Sequence, residues 1–130
     1  MKPMTTEWVD KAEEDFVVVE RESRARKKLA YSAIAFHAQQ CAEKYLKARL
    51  CEADRDIPRT HELCALLDLV RDLEPAWELM RDALVTLTNY AVAYRYPGNV
   101  ADRKTALATR KLCRSFRQIA RTSLGIKPQP

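Results

Sequence analysis

Residues 36–48 read FHAQQCAEKYLKA, and they lie within a segment from about Leu29 to Cys51 that has the composition of a helix. Six alanines recur through this segment among larger apolar side chains, and alanine is the strongest helix former. Small or apolar residues cover every side of such a helix but one, where the polar remainder consists of Gln40, Glu43, Lys44 and Lys47. A helix of this kind is predicted to lie at the centre of a bundle or to be covered further by a second subunit.

Glycine and proline indicate the fold class. The 130 residues include only two glycines, Gly98 and Gly125, whereas tight β connections usually need glycine where φ is positive. The six prolines fall between segments of helical length, and a proline inside a helix costs about 3 kcal/mol. We therefore predict an all-α fold of about five helices, with residues 1–125 as one domain and residues 126–130 as a C-terminal tail.

Composition narrows the class of protein. Hydrophobic residues make up 47% of the chain and charged residues 32%, which is typical of a folded protein. The four cysteines form no CxxC pair and no zinc-spaced cluster with histidine, so we expect free thiols, no metal and no cofactor. No apolar run approaches the ~20 residues of a membrane span, and no signal sequence is visible, so we expect a cytoplasmic protein that does not associate with membranes. The formal charge of +5 favours anionic partners without identifying one.

The first helix is predicted from about Thr5 to Arg26. Thr5 or Thr6 is the expected N-cap, because threonine oxygens accept hydrogen bonds from the first amides of a helix. Apolar residues recur at helical spacing along this segment. The β-branched run 17–19 would also permit a strand, but no turn residues bound it, so a helix is favoured.

Helical periodicity and proline positions predict the later elements. A third helix begins after Thr60 as its N-cap and reaches Pro75, and a fourth runs from there to Tyr94. Residues 96–99 read YPGN, in which proline and glycine occupy the central positions of a type II turn. The last helix is predicted from about Ala101 to Leu124.

An arginine-rich face on the last helix supports two interpretations. Five arginines fall within a narrow angular band of that helix, namely Arg103, Arg110, Arg114, Arg117 and Arg121. They could follow the phosphate backbone of RNA, with a strong dependence of affinity on salt. They could equally pair with acids of the first helix, for which the candidates are Glu13, Glu14, Glu20 and Glu22.

Three blocks of the sequence together resemble the HEPN family. They are residues 36–48, the run Thr60-His61-Glu62-Leu63 with Leu66-Leu67, and Tyr90-Ala91-Val92 followed by Arg95-Tyr96-Pro97-Gly98. The resemblance extends from Trp8 to the last helix, and the block at 36–48 is its most specific part. It implies an up-and-down antiparallel bundle that forms a homodimer around a cleft for nucleotide or RNA. It also implies a small nucleotidyltransferase as partner, in a toxin-antitoxin or stress-response module.

The family's nuclease motif is incomplete in this chain. Nuclease members are similar in carrying an arginine followed, after about four to six residues, by a histidine near the end of the fourth helix. Arginine can orient the scissile phosphate, and histidine can move protons near neutral pH. Arg95 stands at the arginine position, but no histidine follows His61 in the chain. We therefore expect no catalytic residue and a binding function.

The two histidines, and the spacing of Arg55 to His61, are interpreted without a catalytic role. Arg55 and His61 have the spacing of the nuclease motif, but they lie ahead of the third helix, so we interpret the pair as a coincidence. His61 itself is interpreted as a surface or packing residue at a helix N-terminus. His37 is expected to be a hydrogen-bonded histidine at an interface.

The candidate residues for binding nucleotide or RNA are Arg95, Tyr96, Tyr94, Tyr90, Lys44 and His37. Arg95 would contact phosphate, and a base would stack on Tyr94 or Tyr96. The alternative for Arg95 is an intramolecular salt bridge with aromatic packing, and Lys44 could lie on a solvated face instead of the rim of a dimer cleft.

Two other functions remain open at this point. The chain could be a ribonuclease with a non-standard site, in which Arg95 acts with a tyrosine or with a histidine of the other subunit. It could also be a structural module that presents its helices to another protein.

Overall fold

The computed structural model describes residues 1–25, 30–99 and 102–128. Over these residues the chain forms helices and no strand, so the predicted all-α class is confirmed. The elements are α1 (Pro3–Arg24), α2 (Tyr31–Glu52), α3 (Leu63–Val70), a 3-10 helix (Pro75–Met80), α4 (Arg81–Ala93) and α5 (Arg103–Ser123). The predicted helix ends at Arg26, Leu29 and Ala101 lie outside the described residues.

Helix α2 is the centre of the bundle, as its composition predicts. It contacts each of the other four α-helices, and most extensively α1 and α5. Its alanines allow close packing, and larger side chains such as Ile34, Tyr45 and Leu46 are fully buried beside them. One hydrophobic core joins these residues to buried side chains of α1, α3, α4 and α5.

Side-chain contacts establish the directions of the helices. The Oγ1 of Thr5 donates to Glu52 Oε1 over 2.9 Å, so the start of α1 meets the end of α2 and the two helices are antiparallel. The connection 53–62 then returns along α2, because Gln39 Nε2 donates to the main-chain oxygen of His61. This return brings the start of α3 beside the N-terminal half of α2, where the candidate site described below is located.

The helix starts differ from the predicted caps. Helix α1 begins at Pro3, because the fixed φ of proline suits the first position of a helix. Thr5 therefore lies inside the helix, where it is fully buried, and does not cap it. Helix α3 begins at Leu63, and Thr60 lies outside it, with its Oγ1 accepting from the Glu62 amide over 3.2 Å. The predicted threonine caps were therefore wrong. The Thr5 hydroxyl bonds to Glu52 and that of Thr6 donates to the Lys2 carbonyl, both from inside α1, while the Thr60 hydroxyl bonds locally ahead of α3.

The third and fourth helices are also shorter than predicted. Helix α3 ends at Val70, whose main-chain oxygen accepts from the amides of Leu73 and Glu74 and closes the helix before Pro75. From Pro75 the chain first forms a 3-10 helix and becomes α-helical only at Arg81. The predicted continuous fourth helix is thus two elements, of which the second carries part of the candidate site.

The turn after α4 has the features that the YPGN sequence predicts. Gly98 has a φ of +92°, and the Asn99 amide donates to the Tyr96 carbonyl across the turn. Asp102 then caps α5 by accepting from the Thr105 amide over 2.8 Å. At the far end Gly125 has a φ of +73°, and the next residue, Ile126, packs against the core.

In the part of the chain that the structure describes, no helix is both long enough and apolar enough to cross a membrane.

Candidate functional site

An open cleft of about 760 Å³ lies between α2, the connection 53–62 and the C-terminal half of α4. Its volume falls within the range of roughly 300–1,000 Å³ that is common for small-molecule sites. The polar and aromatic side chains that line it include Phe36, Gln39, Gln40, Arg59, His61 and Arg95. Glu62 adds a carboxylate to the lining, so the two arginines leave an excess of positive charge there.

A buried carboxylate orients His61 at this cleft. Glu43 is only 3% exposed, and its Oε1 lies 2.9 Å from His61 Nδ1 while its Oε2 accepts from Lys47 Nζ over 3.1 Å. A carboxylate can only accept, so Nδ1 carries a proton and Nε2 is directed away from Glu43. The His61 side chain is 79% exposed, which leaves Nε2 free to meet a ligand.

Arg95 lies across the cleft from the connection. Its Cζ stands 5.6 Å from the centroid of the Phe36 ring, in a cation-π arrangement. Within residues 1–25, 30–99 and 102–128, no carboxylate forms an ion pair with Arg95 or Arg59. Of the alternative predicted for Arg95, the aromatic packing is therefore present, whereas the intramolecular salt bridge is not found in that part of the chain.

Two glutamines tie the connection to α2. Gln39 Nε2 donates to the His61 carbonyl over 2.8 Å, and Gln40 Nε2 donates to Gln39 Oε1 over 2.9 Å. Gln39 is 5% exposed, whereas Gln40 is half-buried and lines the cleft. Since Glu43 holds the His61 ring and Gln39 holds its carbonyl, α2 positions this residue at two points.

Of the six residues predicted from the sequence to bind nucleotide, only Arg95 lines the cleft. The rings of Tyr90 and Tyr94 stack on each other with centroids 5.8 Å apart, and Tyr96 lies in the turn with 62% of its surface exposed. His37 and Lys44 lie on the α1 side of α2. The structure thus distributes the predicted residues over two sides of the bundle.

His37 and Lys44 share one carboxylate of α1. Asp15 is 6% exposed, its Oδ1 lies 2.7 Å from His37 Nδ1, and its Oδ2 accepts from Lys44 Nζ over 2.5 Å. The expected hydrogen-bonded histidine at an interface is therefore found between α1 and α2. Both side chains are already engaged in holding these two helices together.

Sequence reasoning missed five residues of the cleft to which a role is given below, namely Phe36, Gln39, Gln40, Arg59 and His61. Four of them lie within the blocks that resemble the HEPN family, but pattern alone could not show that α2 and the connection meet. A useful signal was Glu43, an acid in a helix predicted to be central, because a buried carboxylate requires partners.

The arginine face of α5 lies against acids of α1. Arg117 donates from Nε and Nη2 to the two carboxylate oxygens of Glu13 over 2.7 and 2.6 Å, and Arg110 binds Glu20 in the same manner over 3.2 and 2.7 Å. Arg121 Nη1 also lies 3.4 Å from a carboxylate oxygen of Glu13, and Arg114 Nε lies 3.7 Å from one of Glu20. Of the two interpretations of this face, intramolecular pairing with Glu13 and Glu20 is the one that the contacts favour.

Glu13 also connects these arginines to the core. Burial acts to raise the pKa of Glu13, but hydrogen bonds from Arg117 and Tyr45 outweigh it, so the pKa lies below its ordinary value. The Tyr45 hydroxyl donates to Glu13 over 2.5 Å and accepts from Arg121 over 3.1 Å. Burial, together with this hydrogen bond to Glu13, raises the pKa of Tyr45.

Arg55 is occupied elsewhere. Its guanidinium binds both carboxylate oxygens of Asp72 over 2.6 and 2.5 Å and donates to the Leu69 carbonyl. The hydrogen bonds from Arg55 lower the pKa of Asp72 to about 2. Because Arg55 holds the end of α3 in this way, the interpretation of its spacing to His61 as a coincidence agrees with its contacts.

The four cysteines are free thiols that form no disulfide, and Cys41 and Cys113 are buried. The described part of the chain contains no group of three histidine, cysteine, aspartate or glutamate side chains that could hold a metal ion.

Comparison with known proteins identifies a family. The family model described as the HEPN domain matches residues 5–123, which is nearly the whole chain. No curated protein and no solved structure is similar enough to count as a match.

Proposed function

Because the chain belongs to the HEPN family, we propose that it is a nucleotide- or RNA-binding module that works as a homodimer. The ligand is held in the cleft between α2, the connection 53–62 and α4. The cleft binds its ligand without cleaving it, since the family's nuclease motif is incomplete after Arg95.

The observation that carries this proposal is the set of phosphate-binding groups at one cleft. Arg59 and Arg95 each offer a fork of N–H donors, and His61 offers Nε2 from a ring that Glu43 orients. The exposed Phe36 ring, with the Arg95 guanidinium above it, supplies a flat surface for a base. Cationic donors beside a stacking surface are the two elements that nucleotide recognition needs.

The first test measures binding of ATP and of a short RNA by calorimetry. Replacing Arg95 by alanine removes a charged donor from the phosphate site, so we expect affinity to fall roughly ten- to hundred-fold. Arg71→Ala serves as a matched control, because Arg71 is exposed and does not line the cleft, and it should leave affinity unchanged. Failure of the native chain to bind either ligand would contradict the proposal.

The same preparation separates binding from a second candidate function. His61 and Arg95 line one cleft, so a ribonuclease that uses this pair is the alternative that a specific observation favours. RNA recovered intact after incubation with the native chain supports binding alone. Cut RNA would instead establish the ribonuclease.

The dimer part of the proposal is supported by an apolar face beside the cleft. Val85 and Val92 lie two helical turns apart on one face of α4 and are 39% and 50% exposed, and Tyr96, in the turn after α4, is 62% exposed. A second copy of the chain that covered this face would remove apolar surface from water and enclose the cleft.

A charge placed in that face should separate the subunits. We expect Val92→Glu to sediment as a monomer at concentrations where the native chain sediments as a dimer, because a buried unpaired carboxylate is costly. Val17→Glu makes the same change on α1, where Val17 is 43% exposed, and it should leave the dimer intact. Sedimentation velocity measures both, and a native chain that is monomeric throughout would exclude the dimer.

We also propose a cytoplasmic setting with a nucleotidyltransferase as the partner protein, in a toxin-antitoxin or stress-response module. Membership of the HEPN family supports this part, because the family's association with such partners is what the sequence resemblance implies. Purification of the tagged chain from its native cell, followed by identification of the bound protein, tests it. A nucleotidyltransferase must be among the bound proteins.

A further inference from the structure

We propose that the cleft selects adenine nucleotides and that the side-chain amide of Gln40 reads the base. This inference rests on the proposed function, since it names the ligand class of the same cleft. It follows from the direction of the hydrogen bonds that join Gln40, Gln39 and His61.

The direction of this chain of hydrogen bonds is determined at its first member. The main-chain oxygen of His61 can only accept, so Gln39 must direct its Nε2 towards it. The Oε1 of Gln39 then faces Gln40, which must donate from its own Nε2. Each amide in the chain thus has one allowed orientation.

The rest of the Gln40 amide has no hydrogen-bond partner in the described part of the chain. Its Nε2 has a second N–H, and its Oε1 receives no hydrogen bond from the described residues. Among those residues no buried side-chain nitrogen or oxygen lacks a partner, so this Oε1 is in contact with solvent. Gln40 is half-buried and lines the cleft, so it presents one acceptor and one donor side by side to a ligand.

An amide that cannot turn over can discriminate between bases. A free glutamine exchanges its oxygen and nitrogen by a half-turn, so it can match a donor and an acceptor in either order. If Gln40 made that turn, its Oε1 would face Gln39 Oε1, and two acceptors would oppose each other. Gln40 therefore offers its acceptor and donor in a single order.

That order suits the edge of adenine that carries N6 and N7. The N6 amino group donates to Oε1 while N7 accepts from Nε2, which is the pairing of glutamine with adenine known from nucleic-acid recognition. Hypoxanthine and guanine place the acceptor O6 where adenine has its amino group. A purine that carries O6 has to turn over and present a different edge to match this order.

AMP and IMP form the matched pair of ligands for the test, because their bases differ at the 6-position that Gln40 would read. We expect the native chain to bind AMP at least about five-fold more tightly than IMP, which corresponds to about one net hydrogen bond. Calorimetry on the native chain measures both affinities. Equal affinities would overturn this inference and leave the proposed function standing, whereas no binding of either nucleotide would count against both.

Two variants distinguish reading of the base from a general effect on the cleft. Gln40→Met removes the reading amide, so the affinity for AMP should fall to that for IMP. Gln39→Met frees Gln40 to turn over, so the affinity for IMP should rise towards that for AMP. A preference for AMP that persists in Gln40→Met would overturn the assignment to Gln40.

Gln118→Met provides the matched control. Gln118 is exposed on α5 and bonds to Thr122 away from the cleft, so this variant should keep the native preference. Thermal unfolding of all three variants shows which are folded. Because Gln40 is only half-buried, its variant is expected to fold even if the buried Gln39 tolerates replacement less well.

Discussion

Replacing Trp77 by alanine should lower the free energy of unfolding by about 3–5 kcal/mol. Trp77 is 2% exposed, and its ring meets the edge of Phe116 in α5, with centroids 5.3 Å apart and planes at 80°. The loss combines the transfer of a large apolar side chain with the cavity that remains, because a close-packed core relaxes only in part. Chemical denaturation followed by circular dichroism measures it.

Leu79 is the natural control for this variant. It lies in the same 3-10 helix two residues later, yet it is 88% exposed. Leu79→Ala should therefore change the free energy of unfolding by no more than about 0.5 kcal/mol. Similar losses in the two variants would mean that the 3-10 helix is not anchored through Trp77.

Replacing Glu13 by alanine should cost about 3 kcal/mol of stability, because it leaves a partly buried charge cluster without its anion. Arg117 loses both of its hydrogen bonds to the Glu13 carboxylate. The buried Tyr45 hydroxyl, which also accepts from Arg121, loses its acceptor. Urea unfolding at neutral pH measures the effect. The next acid in the sequence gives the control, since the Glu14 side chain is 70% exposed and its one ion pair among the described residues is with Lys11, at 3.6 Å.

The loss caused by Glu13→Ala should also depend on pH. The pKa of Glu13 is lowered in the folded chain, so the unfolded chain takes up the proton first as the solution is acidified. The stabilisation is complete above the unfolded pKa of about 4.3 and disappears as pH falls through the lower folded value. The difference between the native chain and Glu13→Ala should therefore shrink in acid, while Glu14→Ala should stay within about 0.5 kcal/mol of the native chain at every pH.

The elements of the fold were largely predictable, because helix formation depends on local composition and spacing. The alanine-rich α2 and the turn at residues 96–99 were predicted from neighbouring residues alone, and both are present. The errors occurred where a distant residue competes for a local group. Thr5 is the clearest example, since its hydroxyl bonds to Glu52, 47 residues further along the chain, instead of capping α1.

The candidate site was predictable only in part for the same reason. Arg95 was chosen from its position after α4, and it does line the cleft. Tyr90 and Tyr94 were chosen for the same helical steps, but their rings stack on each other instead. The spacing of Tyr90 and Tyr94 to Arg95 indicates which residues are near one another in the chain. It does not indicate which face of the helix a neighbouring element leaves open.

The amino-acid sequence by itself determined a helical bundle with α2 at its centre, because composition and periodicity act over a few residues at a time. The resemblance of its motifs, and not their periodicity, identified the HEPN family. Only the tertiary structure decided that His61 and Arg95 share a cleft, and that the arginines of α5 pair with Glu13 and Glu20. These contacts join residues far apart in the chain, and their geometry follows from how whole helices pack and from where the connection 53–62 returns along α2.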